Sequence, residues 1–305
     1  MSAKSERLTV LSGAEQFALY GLPDFDDGQR MQYLIFSVCE LALAMGRPSL
    51  HAQVHCALQI GYFKAKHAFF PLSPEETAED RTFVLARYFD GQACDPRPVT
   101  RHEHYTQRAA ITGLFGYRRW SAEFLPLLAR QAAQAARRDI APGFIVAELI
   151  AFLSGQKIVR PGLTTLQTLI SETLSAERKR IGRLLDERLD DTAKAALQQL
   201  LVREDGLSGL AALKQDAKHF GYRQMILERQ KRTLLEPLYQ TVKALLPTFS
   251  ISQQNLNYYA SLAHFYTIYD LRRLQPEQTR LYLLCFAWQR YRQLTDNLVD
   301  AWATT

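Results

Sequence analysis

The sequence lacks the features of exported, disulfide-stabilised and membrane-spanning proteins. Its four cysteines are scattered along 305 residues without a C-x-x-C pair, which is typical of a reducing compartment and not of a disulfide framework. The longest apolar run, residues 144–153, is interrupted by Glu148 and is much shorter than the roughly 20 residues that span a bilayer. The amino terminus has no apolar core of a secretory signal. These absences predict a cytoplasmic protein without a transmembrane helix.

The sequence also lacks the common catalytic and phosphate-binding motifs. It contains no G-x-x-x-x-G-K-[ST], no G-x-G-x-x-G after a strand and no G-x-S-x-G. Its acidic residues are dispersed over amphipathic segments, mostly on faces that solvent would cover. The sequence by itself therefore predicts no catalytic residue.

Two short patterns resemble metal sites but are incomplete. His51 and His55 have the i, i+4 spacing of a helical zinc pair, yet the glutamate of H-E-x-x-H and a third ligand are missing. Cys56 would point about 100 degrees away from His55 on a helix. Residues 24–28 resemble the start of a calcium loop, but its twelfth position is Ile35 instead of glutamate, so we predict a turn and a helix cap. No metal or other cofactor is expected.

Helix-start signals are abundant, and strand-like alternation is almost absent. Capping boxes begin at Ser12, Ser37, Ser73 and Thr100, and each precedes helically spaced apolar residues. The pattern predicts helices over residues 13–20, 26–36, 38–46, 50–66, 74–89, 101–114, 121–138, 142–154, 164–188, 191–203, 208–217, 221–246, 252–272 and 276–302. The predicted fold class is all-α, as a multi-domain helical array.

Positive charge is concentrated in one part of the chain. Residues 97–180 contain thirteen lysines and arginines against six acids, a net charge of +7, whereas the rest of the chain sums to −1. A localised basic segment in a helical protein points first to a polyanion, and among polyanions to nucleic acid. The segment begins within residues 91–99, which combine glycine with two prolines and predict an extended linker.

Within the basic segment, residues 139–149 and 160–170 form a helix-turn-helix-like pattern. The turn between the two predicted helices is longer than the three or four residues of the compact motif. The second helix would expose short polar side chains suited to base edges, with cations before it suited to phosphates. These candidates are Lys157, Arg160, Thr164, Thr165, Gln167 and Thr168. The alternative interpretation is an ordinary helical hairpin with a solvated polar face.

A second basic group precedes this pattern. Helical spacing places Arg101, His104 and Arg108 near one face, and Arg118 and Arg119 follow after the helix, so together they could follow a phosphate backbone. An ordinary solvated face explains them equally well. Lys64 and Lys66, near the end of an earlier helix, add a smaller basic surface that completes the set of DNA-binding candidates.

Several strings of this sequence resemble the N-terminal region of Tn-three-family replicative transposases. They are residues 20–25 (YGLPDF), residues 58–70 (LQIGYFKAKHAFF), the two helix-turn-helix segments and residues 280–300. The likeness runs through essentially all of the chain, and the first two strings are distinctive. The resemblance implies helical domains that bind the terminal inverted repeats of a transposon, as part of DNA recombination by a transposable element.

The resemblance also implies what this chain does not do. In that family an RNase H-like domain much further along carries the metal-binding Asp, Asp and Glu, so Mg²⁺ and strand transfer belong to that domain. The chain ends inside an amphipathic segment, residues 299–305, which we interpret as a truncation. We therefore expect a non-catalytic fragment that binds double-stranded DNA in the bacterial cytoplasm, associated with the nucleoid, and does not interact with membranes.

The resulting domain prediction has three parts. Residues 1–90 form a first helical DNA-binding domain, residues 91–99 a linker and residues 100–178 a basic helix-turn-helix-like DNA-binding domain. Residues 179–305 form a helical scaffold, which could hold a homodimer in the full-length protein. Two alternatives stay open: a helical protein-interaction scaffold whose basic surface meets an acidic partner, and a small metalloenzyme built on His51 and His55.

Overall fold

The computed structural model describes residues 11–95, 97–204, 207–217 and 221–303. It confirms the all-α fold class: within these ranges the strands are limited to one hairpin of two two-residue strands, β1 (Arg203–Glu204) and β2 (Leu207–Ser208). None of the described helices combines the length and the apolar character that crossing a bilayer requires.

The described residues form two compact units. The first unit comprises the described parts of Met1–Gln131 together with Val146–Ile170, and the second comprises Ala132–Ile145 and the described parts of Ser171–Thr305. The prediction of separate DNA-binding domains at residues 1–90 and 100–178 stays a prediction.

The helices of the amino-terminal part follow the predicted pattern closely. They are α1 (Gly13–Tyr20), α2 (Asp27–Tyr33), α3 (Val38–Met45), α4 (Leu50–Lys66), α5 (Ala78–Tyr88), α6 (Arg101–Leu114), a single 3-10 turn (Ala122–Phe124), α7 (Leu125–Arg138), α8 (Pro142–Gly155) and α9 (Leu163–Arg188). Helices α1, α4 and α6 begin and end at the predicted residues.

The remaining helices belong to the second unit. They are α10 (Asp191–Gln199), α11 (Gly209–Lys214), α12 (Tyr222–Phe249), α13 (Gln253–Phe265), α14 (Ile268–Arg273) and α15 (Pro276–Ala303). One helix predicted over residues 252–272 is therefore two, because the chain is extended at Tyr266 and Thr267 starts a new capping box with Asp270.

Side-chain caps explain where most of the helices start. Ser12 and Ser37 form complete capping boxes with the glutamates three residues later, as predicted. The acidic stretch at residues 24–28 is a turn and a cap, since Asp26 accepts a hydrogen bond from the Gln29 amide at 2.7 Å. The helix predicted from residue 74 is wrong at its start: Ser73 caps the Glu76 amide, but residues 74–77 form a turn and α5 begins at Ala78.

The core of the first unit surrounds α4, which is buried over most of its length. Helices α2, α3, α5 and α6 each pack against α4, and α3 also packs against α6. Tyr62 and Phe63 of α4 are fully buried in this core, and Ile111 of α6 belongs to the same core. Burial of this apolar surface is the main stabilising contribution to the unit.

The core of the second unit is built on α15, which packs along both α12 and α13. Residues 281–288 of α15 are buried without interruption, so this helix is apolar all round at its centre. Asn255 of α13 is a fully buried polar residue at this core. It accepts a hydrogen bond from the Ile140 amide at 2.7 Å and donates one to the Ala136 carbonyl at 2.7 Å. Such a buried amide is stabilising only because its partners are present.

Candidate nucleic-acid interface

All thirteen residues predicted to bind DNA lie in the first unit. They come from α4, α6, the segment after α6, the turn before α9 and the first two turns of α9. Their burial differs, however, and divides them into exposed cations, half-buried basic residues, and polar residues of α9.

A backbone bridge joins two basic segments that are distant in sequence. The Arg118 amide donates to the Lys157 carbonyl at 2.7 Å, and the Val159 amide donates to the Arg118 carbonyl at 2.9 Å, which makes a parallel bridge. The Arg118 guanidinium also donates to the Gln156 carbonyl at 3.3 Å. Arg118 and Lys157 are both exposed, so the bridge joins the backbones of two segments that each present a cation to solvent.

Local backbone conformation explains how the bridge forms. Helix α8 ends at Gly155, and Lys157 adopts a left-handed conformation with φ of 51°, which turns the chain toward Arg118. Gly116, also left-handed with φ of 68°, reverses the chain after α6. A Cβ at Gly116 would lie 3.6 Å from the Lys157 Nζ, so the two turns are in direct proximity.

A second basic group surrounds Tyr105 of α6. Arg101 lies 5.8 Å from the Tyr105 ring, and its hydrogen bond lowers the pKa of that exposed hydroxyl. Arg119 donates to the Tyr105 carbonyl at 3.5 Å. Arg108 lies 5.1 Å from the Phe69 ring and is half-buried; burial is the main reason that its pKa is lowered, and Arg119 adds to the effect. Arg101, Arg108 and Arg119 thus lie close together around Tyr105.

Aromatic contacts join the segment after α6 to α4. Phe63 of α4 packs against Phe115 at 5.5 Å and against Tyr117 at 5.1 Å, and His67 packs against Tyr117 at 5.0 Å. These contacts fix the segment after α6 against α4. Arg118 is held further by the Phe124 ring, 5.0 Å from its guanidinium carbon.

Lys66 and Arg160 are placed differently from the exposed cations. Lys66 donates to the Ala18 carbonyl at 3.0 Å and to the Gly21 carbonyl at 2.9 Å, and Arg160 donates to the Leu19 carbonyl. Burial lowers the pKa of both side chains, and the charge of Arg160 contributes to the shift at Lys66. The two cations therefore satisfy the last carbonyl groups of α1, the end of a helix where positive charge is favourable.

Lys64 also has protein partners. Its ammonium donates to the Ile35 carbonyl at 2.9 Å and to Glu40 at 3.3 Å, and it lies 5.6 Å from the Phe36 ring. This half-buried position ties α4 to the start of α3. Whether Lys64, Lys66 and Arg160 contact DNA stays a prediction, but each has a structural role that the sequence did not reveal.

His104 lies within a group of histidines between α4 and α6. Its ring is 6.0 Å from that of His55, whose Nδ1 lies 2.7 Å from the Oε1 of the fully buried Gln107. Because an amide oxygen only accepts, the His55 Nδ1 carries the proton and donates. Burial lowers the pKa of His55 to about 4, with His104, His51 and Arg108 contributing, and it lowers the pKa of His104 as well.

The polar residues of α9 were all predicted to be exposed, and the structure exposes two of the four. Thr164 and Thr168 are exposed, Thr165 and Gln167 are half-buried, and Leu166 between them is fully buried. The helices on either side of the turn exist, as α8 and α9, and the chain between them runs from Gln156 to Gly162. Whether this pair acts as a helix-turn-helix module stays a prediction.

Metal ligands do not gather in the part of the chain that the structure describes, where no three His, Cys, Asp or Glu side chains come together. His51 and His55 lie one turn apart on α4, and Cys56 is buried, which raises its thiol pKa to about 12. The expectation that the chain binds no metal stays a prediction.

Two comparisons with known proteins agree with the resemblance seen in the sequence. A family described as "Domain of unknown function (DUF4158)" matches residues 10–173, more than half of the chain. The chain is also 24% identical, over 96% of its length, to the transposase for transposon Tn21 of Escherichia coli, of which the match covers 30%. Both findings are consistent with the N-terminal region of a Tn-three-family transposase. The chain belongs to the DUF4158 family.

Proposed function

We propose that this chain is transposase-derived and that its first unit binds double-stranded DNA, with the terminal inverted repeats of a transposon as the specific target. The observation that carries the proposal is the backbone bridge between Arg118 and Ile158, which joins two basic segments that are distant in sequence and in which Arg118 and Lys157 are both exposed. The similarity to a transposase supports the same conclusion.

The exposed cations are assigned to the phosphate backbone. These cations are Arg101, Arg118, Arg119 and Lys157. Arg118 contacts the Phe124 ring and the Gln156 carbonyl, and Arg101 contacts the Tyr105 ring. Cations fixed in this way position a protein on a duplex but carry no sequence information. They account for affinity and for its dependence on salt.

Sequence recognition is assigned to the beginning of α9. Thr164 and Thr168 are exposed one turn apart, and the half-buried Thr165 and Gln167 lie between them in sequence. Hydroxyl and amide groups of this kind read base edges in the major groove, where each base pair presents a distinct pattern. Lys157 lies just before this helix and would fix its register on the backbone.

The experiment that tests the proposal measures the fluorescence anisotropy of labelled duplexes at physiological salt. One duplex carries the terminal inverted repeat that flanks the gene for this chain, and the control is a scrambled duplex of equal length. We expect binding to the repeat to be at least about a thousandfold tighter. Equal affinity for the two duplexes would contradict specific end recognition.

In this proposal the chain recognises transposon ends in the bacterial cytoplasm, at the nucleoid, and does not cut them. Strand transfer and its Mg²⁺ are assigned to another part of a full-length transposase. The chain spans about 30% of the length of the relative it matches, so the activity of that protein is not assigned to these residues.

A protein-interaction scaffold is the second candidate, and one feature of the second unit favours it. An apolar groove of about 740 Å³ lies between α12 and α15, and Tyr222, Ile226, Val299 and Trp302 are exposed along it. The partner we propose is a second copy of this chain, bound through this groove.

Sedimentation equilibrium of the chain and of Val299→Arg tests the homodimer: the variant should dissociate at concentrations where the unchanged chain is dimeric. A monomeric unchanged chain would rule the homodimer out.

A further inference from the structure

The turn that leads into α9 is joined to the end of helix α1. The Tyr20 hydroxyl donates a hydrogen bond to the Pro161 carbonyl at 2.8 Å. The Arg160 guanidinium donates to the Leu19 carbonyl, and its central carbon lies 5.7 Å from the centre of the Tyr20 ring. Burial raises the pKa of the Tyr20 hydroxyl, so this group stays protonated and acts as the donor. Hydrogen bonds therefore run in both directions between the last turn of α1 and the turn before α9.

The end of helix α4 contacts both of these segments. Lys66, the last residue of α4, donates to the Ala18 and Gly21 carbonyls at 3.0 and 2.9 Å. The Arg160 backbone amide donates to the carbonyl of His67, directly after α4, at 3.5 Å. Helix α1, the end of α4 and the turn before α9 are thus joined pairwise, so the turn is fixed relative to the core of the first unit. We call this arrangement the α1–α9 junction and define it by Tyr20, Lys66, Arg160 and Pro161.

The α1–α9 junction lies directly before the residues to which sequence recognition is assigned. Pro161 is buried, and Gly162 alone separates it from Leu163, the first residue of α9. Gly162 has no side chain, so it cannot cap α9 in the way that Ser12 caps α1. A Cβ at Gly162 would meet no atom within 4 Å, so close packing does not hold this residue. The Pro161 carbonyl, three residues before Thr164, is therefore a point at which tertiary contacts fix the start of α9.

Recognition of base edges requires accurate placement of the helix that reads them. Hydrogen bonds form over a narrow range of distances, about 2.7–3.2 Å, and weaken steeply when the donor angle falls below about 120°. A small displacement of the first turn of α9 would therefore remove contacts of Thr164 and Thr165 with bases. Long cationic side chains elsewhere on the first unit would still reach phosphates. The placement of α9 should thus affect sequence preference more than total affinity for DNA.

We propose that Tyr20 is a positioning residue that sets the sequence preference of α9 through its hydrogen bond to Pro161. This role rests on the proposed function, because it concerns how the same helix reads the terminal repeat. Tyr20 acts through the backbone at Pro161 and needs no contact with DNA. Lys66 and Arg160 serve the same purpose, since they hold α1 against the end of α4 and against the turn.

The test compares the unchanged chain with Tyr20→Phe, which keeps the ring and removes only the hydroxyl. Anisotropy titrations measure the affinity for the terminal inverted repeat and for the scrambled duplex. Preference for the repeat should fall by about tenfold for each base pair that is no longer read, while affinity for the scrambled duplex and its dependence on salt stay the same. Without DNA, hydrogen exchange should speed up at the Leu166 amide, which donates to the Gly162 carbonyl at 3.3 Å.

The matched control is Tyr88→Phe on α5. The Tyr88 hydroxyl donates to the Leu34 carbonyl at 3.1 Å and accepts from the Phe36 amide at 3.0 Å, so this variant loses at least as many hydrogen bonds within the first unit. We expect its preference for the repeat and its exchange at Leu166 to equal those of the unchanged chain. A preference that survives Tyr20→Phe, or an equal loss in Tyr88→Phe, overturns the positioning role and leaves the proposed function intact. An unchanged chain that binds both duplexes alike overturns both.

Discussion

At the scale of single residues, charge alone does not separate cations that bind a ligand from cations that hold the fold. Lys66 and Arg160 hydrogen-bond to the last carbonyl groups of α1, and Tyr20 of the same helix donates to the Pro161 carbonyl at 2.8 Å. Helix α1 has no buried residue of its own. Polar contacts at its carboxyl end are therefore a main attachment of this helix.

This arrangement predicts that Lys66→Ala and Arg160→Ala act on stability. Each substitution should lower the free energy of unfolding by about 1–2 kcal/mol, because it removes charged hydrogen bonds to carbonyl groups at the end of α1. Amide hydrogen exchange should speed up in α1 before other helices. Arg130→Ala is the matched control, since the side chain of this first-unit arginine is exposed, and its unfolding free energy should change little. Equal stability of all three variants would contradict the structural role.

His55 gives a second prediction at this scale, through pH. Burial lowers its pKa in the folded chain to about 4, below the usual value of 6.5, so the unfolded chain binds the proton more readily. Stability should therefore be greatest above pH 6.5 and fall, by up to about 3 kcal/mol from this group, as the pH decreases toward 4.

Urea denaturation between pH 7 and pH 4 measures this effect. His55→Gln should reduce the dependence on pH in this window, because the titrating group is removed while an amide can still donate to Gln107. His102→Gln is the control, since His102 is exposed on the same helix as His104. An unchanged pH profile for His55→Gln would show that other groups cause the fall in stability.

At the scale of elements, two glycines within helices have opposite surroundings. Gly61 lies in the middle of α4, where a Cβ would overlap the Leu34 side chain and lie 3.3 Å from the Tyr33 carbonyl. Gly113 lies near the end of α6, where a Cβ would have no neighbour within 4 Å. Helix propensity favours alanine at both positions by about 1 kcal/mol, so packing decides the outcome.

We expect Gly61→Ala to destabilise the first unit and Gly113→Ala to stabilise the protein slightly. Overpacking of a core usually costs about 1–3 kcal/mol, more than the gain in helix propensity at Gly61. Chemical denaturation of the two variants gives the comparison. Stabilisation by both substitutions would mean that Leu34 moves aside easily and that α2 is held less tightly against α4 than its packing indicates.

Helices could be predicted from the sequence where local signals determine them. Capping residues fixed the starts of α1, α3 and α6, because a cap acts within three residues. The break between α13 and α14 was missed although Thr267 and Asp270 carry a capping signal, since apolar periodicity continues on both sides. Apolar periodicity indicates which face of a helix is buried but does not indicate where the helix ends.

The site could be predicted only in part, for a related reason. Sequence identified the basic segments, but the bridge between Arg118 and Ile158 joins residues that are distant in sequence. The carbonyl partners of Lys66 and Arg160 likewise come from α1 and the residue that follows it. Such interactions depend on tertiary packing, which cannot be predicted from the composition and residue spacing of one sequence.

At the scale of the whole molecule, the net charge is a modest +6, so DNA affinity should depend on where the cations lie. Each phosphate that a cation neutralises adds about 0.9 to the slope of log K against log salt for duplex DNA. Replacing Arg118 and Arg119 with alanine should therefore reduce the slope by about 2 and weaken repeat and scrambled duplexes alike. Arg229→Ala, which removes an exposed arginine of the second unit, should leave the slope unchanged.

Replacing Thr165 and Gln167 with alanine should change sequence preference and leave the salt dependence of binding unchanged. The salt slope should stay the same, because neither side chain is charged, while preference for the repeat falls by about 1–3 kcal/mol for each base that is no longer read. Anisotropy titrations of both duplexes at several salt concentrations separate the two effects. If both pairs of substitutions weakened repeat and scrambled DNA equally, α9 would not read bases, and the first unit would bind DNA through its phosphates alone.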